Sequence, residues 1–128
     1  MDTIAIVDDD PCIVEVFCLT FERAGYSVLG FTDPVKALRE IPLHRISLII
    51  LDLMMSPITG LQFLDERRKD GVLSKVPVLI LSAWDLSSEE RKEYAGDIAA
   101  VIRKPVMPRT LVDMAGAYLD KGNDRPSA

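Results

Sequence analysis

Four apolar runs in this chain each stop at a polar residue suited to chemistry. Thr3 to Val7 (TIAIV) runs into Asp8-Asp9-Asp10-Pro11, and Ser47 to Leu51 (SLIIL) runs into Asp52. Val76 to Leu81 (VPVLIL) ends at Ser82, and Ala99 to Ile102 is followed by Arg103-Lys104-Pro105. Short, continuously apolar runs read as strands buried on both faces of a parallel sheet. In open α/β sheets the carboxyl ends of such strands form the ligand crevice. Asp52, at the end of the Ser47–Asp52 run, is therefore expected in that crevice, as the residue that does the chemistry.

Neighbouring strands lie about 4.8 Å apart, so carboxylates on two adjacent strand ends can share one small cation. Asp8, Asp9 and Asp52, with no histidine or thiol nearby, make a hard oxygen site that suits Mg²⁺ or Mn²⁺. A backbone carbonyl in the loop after Asp52, that of Met54, offers a further ligand. Lys104 can neutralise an anion and Ser82 can donate a hydrogen bond to it. A divalent cation, a lysine and a hydroxyl around a nucleophilic carboxylate are what phosphoryl transfer to an aspartate requires, because that reaction is mainly positioning and charge neutralisation.

Taken singly, each residue has an ordinary structural reading. The acids at 8 to 10 can cap a helix and favour its dipole. Asp52 can be a turn residue, Ser82 a common strand end, and Lys104-Pro105 a loop. Their joint placement at successive strand ends is what argues for a site. His44 falls in a helix-to-strand loop far from those ends and reads as a surface residue.

The elements that must position these residues follow in order. Asp10 is an N-cap with Pro11 at the first helical position, and Ile13, Phe17, Phe21 and Ala24 share one face until Gly25 stops the helix. Ser27 to Phe31, interrupted by Gly30, is expected as an edge strand. Asp33-Pro34 repeats the cap signal and opens a short helix to about Ile41. After the Asp52 loop, Thr59 and Gln62 have capping-box spacing, so a helix starts near Gly60, presents Leu61 and Leu64, and ends near Asp70-Gly71. Ser87 and Glu90 repeat the box for a helix to about Ala95 that is poor in apolar residues and expected to be loosely held. Pro108 opens the last helix, with Leu111, Met114, Ala115, Tyr118 and Leu119 as its stripe.

Five alternations of strand and helix predict an α/β fold: a doubly wound, five-stranded parallel sheet with helices on both faces. The flavodoxin-like order 2-1-3-4-5 fits, with its switch point between strands 1 and 3. At 128 residues the chain is one domain, taken as residues 1–121 with 122–128 as a polar tail or the start of a linker. The net charge of −5 argues against sequence-independent binding to nucleic acid or anionic membrane. Cys12 and Cys18 lie on different faces of one helix and read as reduced packing residues of a cytoplasmic protein. No signal peptide is seen, and no apolar run is long enough to span a membrane.

With these residues in place, the chain resembles the receiver domain of bacterial two-component response regulators, from Thr3 to about Leu119. The resemblance rests on VDDDP at Val7 to Pro11, ILD at Ile50 to Asp52, Gly60, LSA at Leu81 to Ala83, and Lys104-Pro105. It implies that Asp52 accepts the phosphoryl group. It implies that Asp8 and Asp9 hold Mg²⁺ with the Met54 carbonyl, that Ser82 is the hydroxyl switch residue and that Lys104 pairs with the phosphoryl group. It also implies a cis Lys104-Pro105 bond. Two departures stand out. The family's usual proline four residues after the acceptor is Ser56 here, followed by Pro57, so the loop is expected to take another shape. The family's aromatic switch residue three positions before the lysine is Val101.

The expected function is thus a phosphoacceptor receiver that takes a phosphoryl group onto Asp52 from a sensor histidine kinase or a histidine phosphotransfer protein. It is a signalling domain that catalyses only its own phosphorylation and dephosphorylation. A homodimer or an effector is expected on the face of helix 4, strand 5 and helix 5, with no nucleic acid bound by this chain and no membrane. The bulky Met54 and Trp84 flank the site and are expected to hinder the hydrolytic water. Three rivals are weaker. A phosphatase with an aspartate nucleophile of the dehalogenase type would want a second Asp where Met54 stands. An FMN carrier would want a Ser/Thr/Gly-rich loop where DDDP stands. A receiver-like interaction module working without phosphorylation would have no use for the intact set of Asp8, Asp9, Asp52, Ser82 and Lys104.

Overall fold

A computed structural model describes residues 2–83 and 85–123, with side chains described to residue 120. Strand β1 (Thr3–Val7) leads to helix α1 (Pro11–Arg23), β2 (Ser27–Phe31) to α2 (Pro34–Glu40), and β3 (Leu48–Asp52) to α3 (Gly60–Arg67). Strand β4 (Val78–Ser82) then leads to α4 (Ser88–Glu93), and β5 (Ile98–Arg103) to α5 (Pro108–Asn123). Short 3₁₀ turns at Ile41–Leu43 and Leu73–Lys75 precede β3 and β4. The strands form one parallel sheet in the order β2-β1-β3-β4-β5, the fold and order expected from the alternation of elements.

The caps explain why the helices begin where they do. Asp10 accepts from the Cys12 N–H and Asp33 from the Val35 N–H. Thr59 with Gln62 and Ser87 with Glu90 form two complete capping boxes; a cap of this kind stabilises a helix by about 1 kcal/mol. Gly25 takes φ +98° just past α1, a left-handed turn that any other residue would strain to make.

Side chains alternate across the central strands, so the sheet has a core on each face. Ala5, Val7, Ile49, Leu51, Val78 and Ile80 pack with Phe63, Leu64 and Tyr94 on one side. Ile4, Ile6, Leu48, Ile50, Leu79 and Leu81 pack with Phe17, Phe21, Leu111 and Ala115 on the other. Strands β3 and β4 are buried along their whole length, as the continuous apolar runs required. Gly30 sits on edge strand β2, where a Cβ would come within 2.6 Å of Val14 and 2.8 Å of the Cys18 Sγ. It admits α1 close to the edge.

Three expectations about packing are corrected. In α1 the buried residues are Val14, Phe17 and Phe21, while Ala24 is exposed, because the helix leans on β2 through the turn that carries Val14. In α5, Leu111, Ala115 and Leu119 are buried as expected, but Val112 is buried in place of Met114, which is 43 % exposed. Helix α4 is indeed without buried residues of its own, yet it is not loosely held. Leu86 and Tyr94 bracket it, both buried, and Tyr94 donates its hydroxyl to Asp65 on α3 at 2.8 Å. Arg68 lies over the Tyr94 ring at 4.7 Å and bonds the Glu93 carbonyl and the Asp97 carboxylate. The buried Arg67 joins the same anchor through Asp97 at 3.1 Å and through the Val76 carbonyl.

Candidate functional site

Parallel register delivers the expected residues to one crevice. Val7 is level with Leu51, so Asp8 follows on β1 where Asp52 follows on β3. Asp52 is level with Leu81, and Ser82 comes next on β4. Ser82 is level with Arg103, and its carbonyl accepts the Lys104 N–H at 2.8 Å. Four strand ends therefore converge, with Gly60 sealing one side. A Cβ on Gly60 would lie 2.7 Å from the Asp52 carbonyl oxygen and 2.8 Å from the Leu53 Cα. Only glycine lets the start of α3 press this closely on the strand that carries Asp52. The Gly60 N–H also donates to the Leu53 carbonyl at 2.8 Å.

Asp8, Asp9 and Asp52 each place a carboxylate oxygen within 4.8 Å of the others. Asp8 is 2 % exposed and Asp52 6 %, whereas Asp9 is exposed. Like charges this close in a buried setting need a cation. Lys104 supplies one: its Nζ donates to Asp52 Oδ1 at 2.9 Å and lies 3.6 Å from Asp8 Oδ2. Burial alone would pull the Lys104 ammonium down, but its hydrogen bond to Asp52 and the charges of Asp52 and Asp8 outweigh that and shift it upward. Burial pushes the Asp8 carboxyl up; the Asp10 N–H and Lys104 oppose this, while the Asp52 charge adds to it.

One lysine does not exhaust this cluster. Asp8 Oδ1 accepts the Asp10 N–H at 3.0 Å, but Oδ2 is buried with no hydrogen-bond partner. A buried carboxylate oxygen so left calls for a positive ligand. With oxygen donors alone and two carboxylates beside it, the site fits a hard divalent cation such as Mg²⁺ or Mn²⁺.

The remaining expected residues fall as follows. Ser82 is fully buried beside Asp52. Met54 follows two residues after Asp52 with its side chain 54 % exposed. Val101 is half-buried and lines a cavity of about 340 Å³ with Leu86, Tyr94 and Arg91 on the α4 side. Pro105 follows Lys104 through a cis bond, and Ser56-Pro57 is cis as well. Trp84 lies outside the described residues. An apolar hollow of about 580 Å³, lined by Ile13, Val16, Phe17, Pro105 and Val106, opens beside Lys104.

Two contacts were not foreseen from the sequence. Ser56, read there only as a departure from a family pattern, donates its N–H and hydroxyl to Asp9 Oδ2 at 3.1 and 3.3 Å. Arg103, read only as the neighbour of Lys104, holds the loop after Ser82, donating to the Ala83 carbonyl at 3.0 Å and to Asp85 at 2.9 Å. Neither residue type announces its partner, because both bonds join segments far apart in sequence.

Comparison with known proteins agrees with this geometry. The response regulator receiver domain family matches residues 4–116. The chain is 25 % identical over 117 residues to the polar-differentiation response regulator DivK of Brucella anthropi, covering 91 % of this chain and 95 % of that protein. It is 32 % identical over 117 residues to the response regulator GtcR of Aneurinibacillus migulanus, covering 91 % of this chain but only 47 % of that protein. The chain thus spans about half the length of GtcR. A CheY-like response regulator receiver domain protein from Methanospirillum hungatei superposes with a TM-score of 0.84 at 23 % identity, covering 96 % of this chain and 97 % of that one.

Proposed function

The chain belongs to the response regulator receiver domain family, and on that premise we propose that it accepts a phosphoryl group on Asp52 from the phosphohistidine of a sensor histidine kinase or a histidine phosphotransfer protein. The observation that carries this is the 2.9 Å contact between Lys104 Nζ and Asp52 Oδ1 beside two further carboxylates, one of them with a buried oxygen that makes no hydrogen bond.

The chemistry follows from the residues. A carboxylate oxygen of Asp52 attacks phosphorus in line with the departing imidazole; the O–P bond forms as the P–N bond breaks, and the ring leaves with the electron pair and takes a proton. Lys104, already held against Asp52, stays to neutralise an equatorial phosphoryl oxygen. Ser82 donates its hydroxyl to another. Asp8, Asp9 and Asp52, with the Met54 carbonyl, would hold Mg²⁺, which would supply charge neutralisation on the transferring group. Hydrolysis of the acyl phosphate returns the domain to its starting state, so its only catalysis is on itself. The phosphorylated form is read by a second copy or an effector on the face of α4, β5 and α5. A cytoplasmic setting belongs to the same reading; among the described residues no helix is long and apolar enough to cross a membrane.

Incubation with acetyl phosphate or phosphoramidate and Mg²⁺, followed by intact-mass measurement, tests the proposal. The native chain should gain one phosphoryl group, labile to acid and base, and Asp52→Asn should gain none. Equal labelling of the two would end the assignment.

A further inference from the structure

Asp9 is the exposed member of the acid cluster, and a solvated aspartate at a strand end is free to sample several rotamers. Here one of its oxygens is held. Ser56 donates both its backbone N–H and its hydroxyl to Asp9 Oδ2, at 3.1 and 3.3 Å, across 47 residues of sequence. The N–H donor exists because position 56 is not proline; the proline stands one place later, at Pro57.

The other two acids are fixed in the same manner. Asp8 Oδ1 takes the Asp10 N–H, and Asp52 Oδ1 takes the Lys104 ammonium. Each of the three carboxylates therefore has one oxygen tied by a donor of this chain. Groups that orient metal-binding carboxylates from behind raise affinity, because the ligand no longer has to be ordered when the cation arrives.

We infer that Ser56 is a positioning residue for the divalent cation, holding the Asp9 carboxylate in the orientation that keeps it within 4.8 Å of the oxygens of Asp8 and Asp52. This rests on the proposed function only in taking the acid cluster as a cation site. The hydroxyl is the separable part of the device. Alanine at 56 keeps the N–H donor and loses the other, and threonine keeps both.

The test counts free Mn²⁺ by its paramagnetic resonance signal during titration of the native chain, Ser56→Ala and Ser56→Thr. Each chain is also melted without metal. The expected result is a Kd for Mn²⁺ raised roughly threefold to tenfold in Ser56→Ala, a native Kd in Ser56→Thr, and metal-free melting temperatures that match. An unchanged Kd in Ser56→Ala overturns the inference. So does an equal loss in both variants, or a loss accompanied by a lowered metal-free melting temperature, which would make Ser56 a general loop staple. Labelling of Asp52 by acetyl phosphate on the same samples keeps the two readings apart. A native chain that is labelled, with Ser56→Ala binding as tightly, removes the role of Ser56 alone. A native chain that is never labelled removes the phosphoacceptor reading.

Discussion

Lys104 and Asp52 are 52 residues apart in sequence and are joined by a 2.9 Å hydrogen bond between Nζ and Oδ1. The lysine side chain is only 25 % exposed and the aspartate 7 %, so the pair sits where removing one partner leaves the other poorly solvated. Lys104→Met keeps the stem and removes the charge. It should destabilise the metal-free domain by about 2 kcal/mol, below the range for fully buried pairs because this one is partly wet. Mg²⁺ should then stabilise the variant more than the native chain, since the cation replaces the lost charge. Urea unfolding with and without Mg²⁺ measures both; a variant as stable as the native chain without metal would show the pair to be energetically idle.

Asp8 is the member of the cluster that the fold holds at a cost. It is buried, one of its oxygens lacks a hydrogen-bond partner, and burial pushes its carboxyl up. Asp8→Asn removes a desolvated charge from beside Asp52. It should therefore raise the metal-free melting temperature by about 3 °C, corresponding to about 1 kcal/mol in a domain of this size. The same change should weaken Mn²⁺ binding severely. Calorimetric melting beside a Mn²⁺ titration decides it: a variant that melts lower than the native chain would mean that Asp8 earns its place structurally.

Tyr94 carries a prediction at alkaline pH. Burial and its hydrogen bond to Asp65 push the phenol up to about 12, with Arg68 opposing weakly. The phenol is an acid whose folded value lies above its unfolded value near 10. Between those values the unfolded chain has lost the proton and the folded chain still holds it. Stability therefore falls as pH rises from about 10 to about 12. Tyr94→Phe should lose about 1 kcal/mol at neutral pH, from the missing hydrogen bond, and should show a shallower decline above pH 10. Parallel declines in the two chains would assign the alkaline loss to other groups.

Much of this architecture could be read from residues in order. The strands announced themselves as apolar runs, and Asp10, Asp33, Thr59 and Ser87 marked helix starts that the structure has one residue later in each case. The converging strand ends followed from strand order alone, which is why Asp8, Asp52, Ser82 and Lys104 were found together. What could not be read depends on partners distant in sequence. Arg67 looks like a surface residue of α3 until Val76 and Asp97 close over it. Tyr94 looks like one apolar residue at the end of a polar helix until Asp65 and Arg68 enclose it. Met114 and Val112 differ by two positions on α5, and only the lean of that helix against the sheet decides which is buried. Ser56 and Asp9 meet across a loop whose shape no local pattern specifies.

The anchoring of Tyr94 also decides where phosphorylation can be felt. If Ser82 moves toward the phosphoryl group, Val101 is too small and too restricted to follow, which leaves the response to the segment from Ala83 to Ala95. The structure divides that segment. Its far end is pinned by the bonds of Tyr94 to Asp65 and of Arg68 to the Glu93 carbonyl and Asp97. Its near end is held by Arg103, through the Ala83 carbonyl and the exposed Asp85, with Arg91 bonding the Leu86 carbonyl at 3.3 Å. Exposed ion pairs of this kind are worth at most about 1 kcal/mol, whereas at the far end Tyr94 and Arg67, which pairs with Asp97, are buried, so the near end yields first. Beryllofluoride with Mg²⁺ should therefore raise amide exchange from Ala83 to about Glu90 and leave Tyr94 to Ile98 unchanged. Ser82→Ala should abolish the response while still accepting phosphate on Asp52. Arg103→Ala should raise exchange at residues 83–86 without any phosphoryl group and add little on beryllofluoride binding. Hydrogen exchange read by mass spectrometry distinguishes this from the alternative: a response spread evenly through Ile98, or one confined to β5 around Val101, would show that the loop held by Arg103 is not where the signal leaves the site.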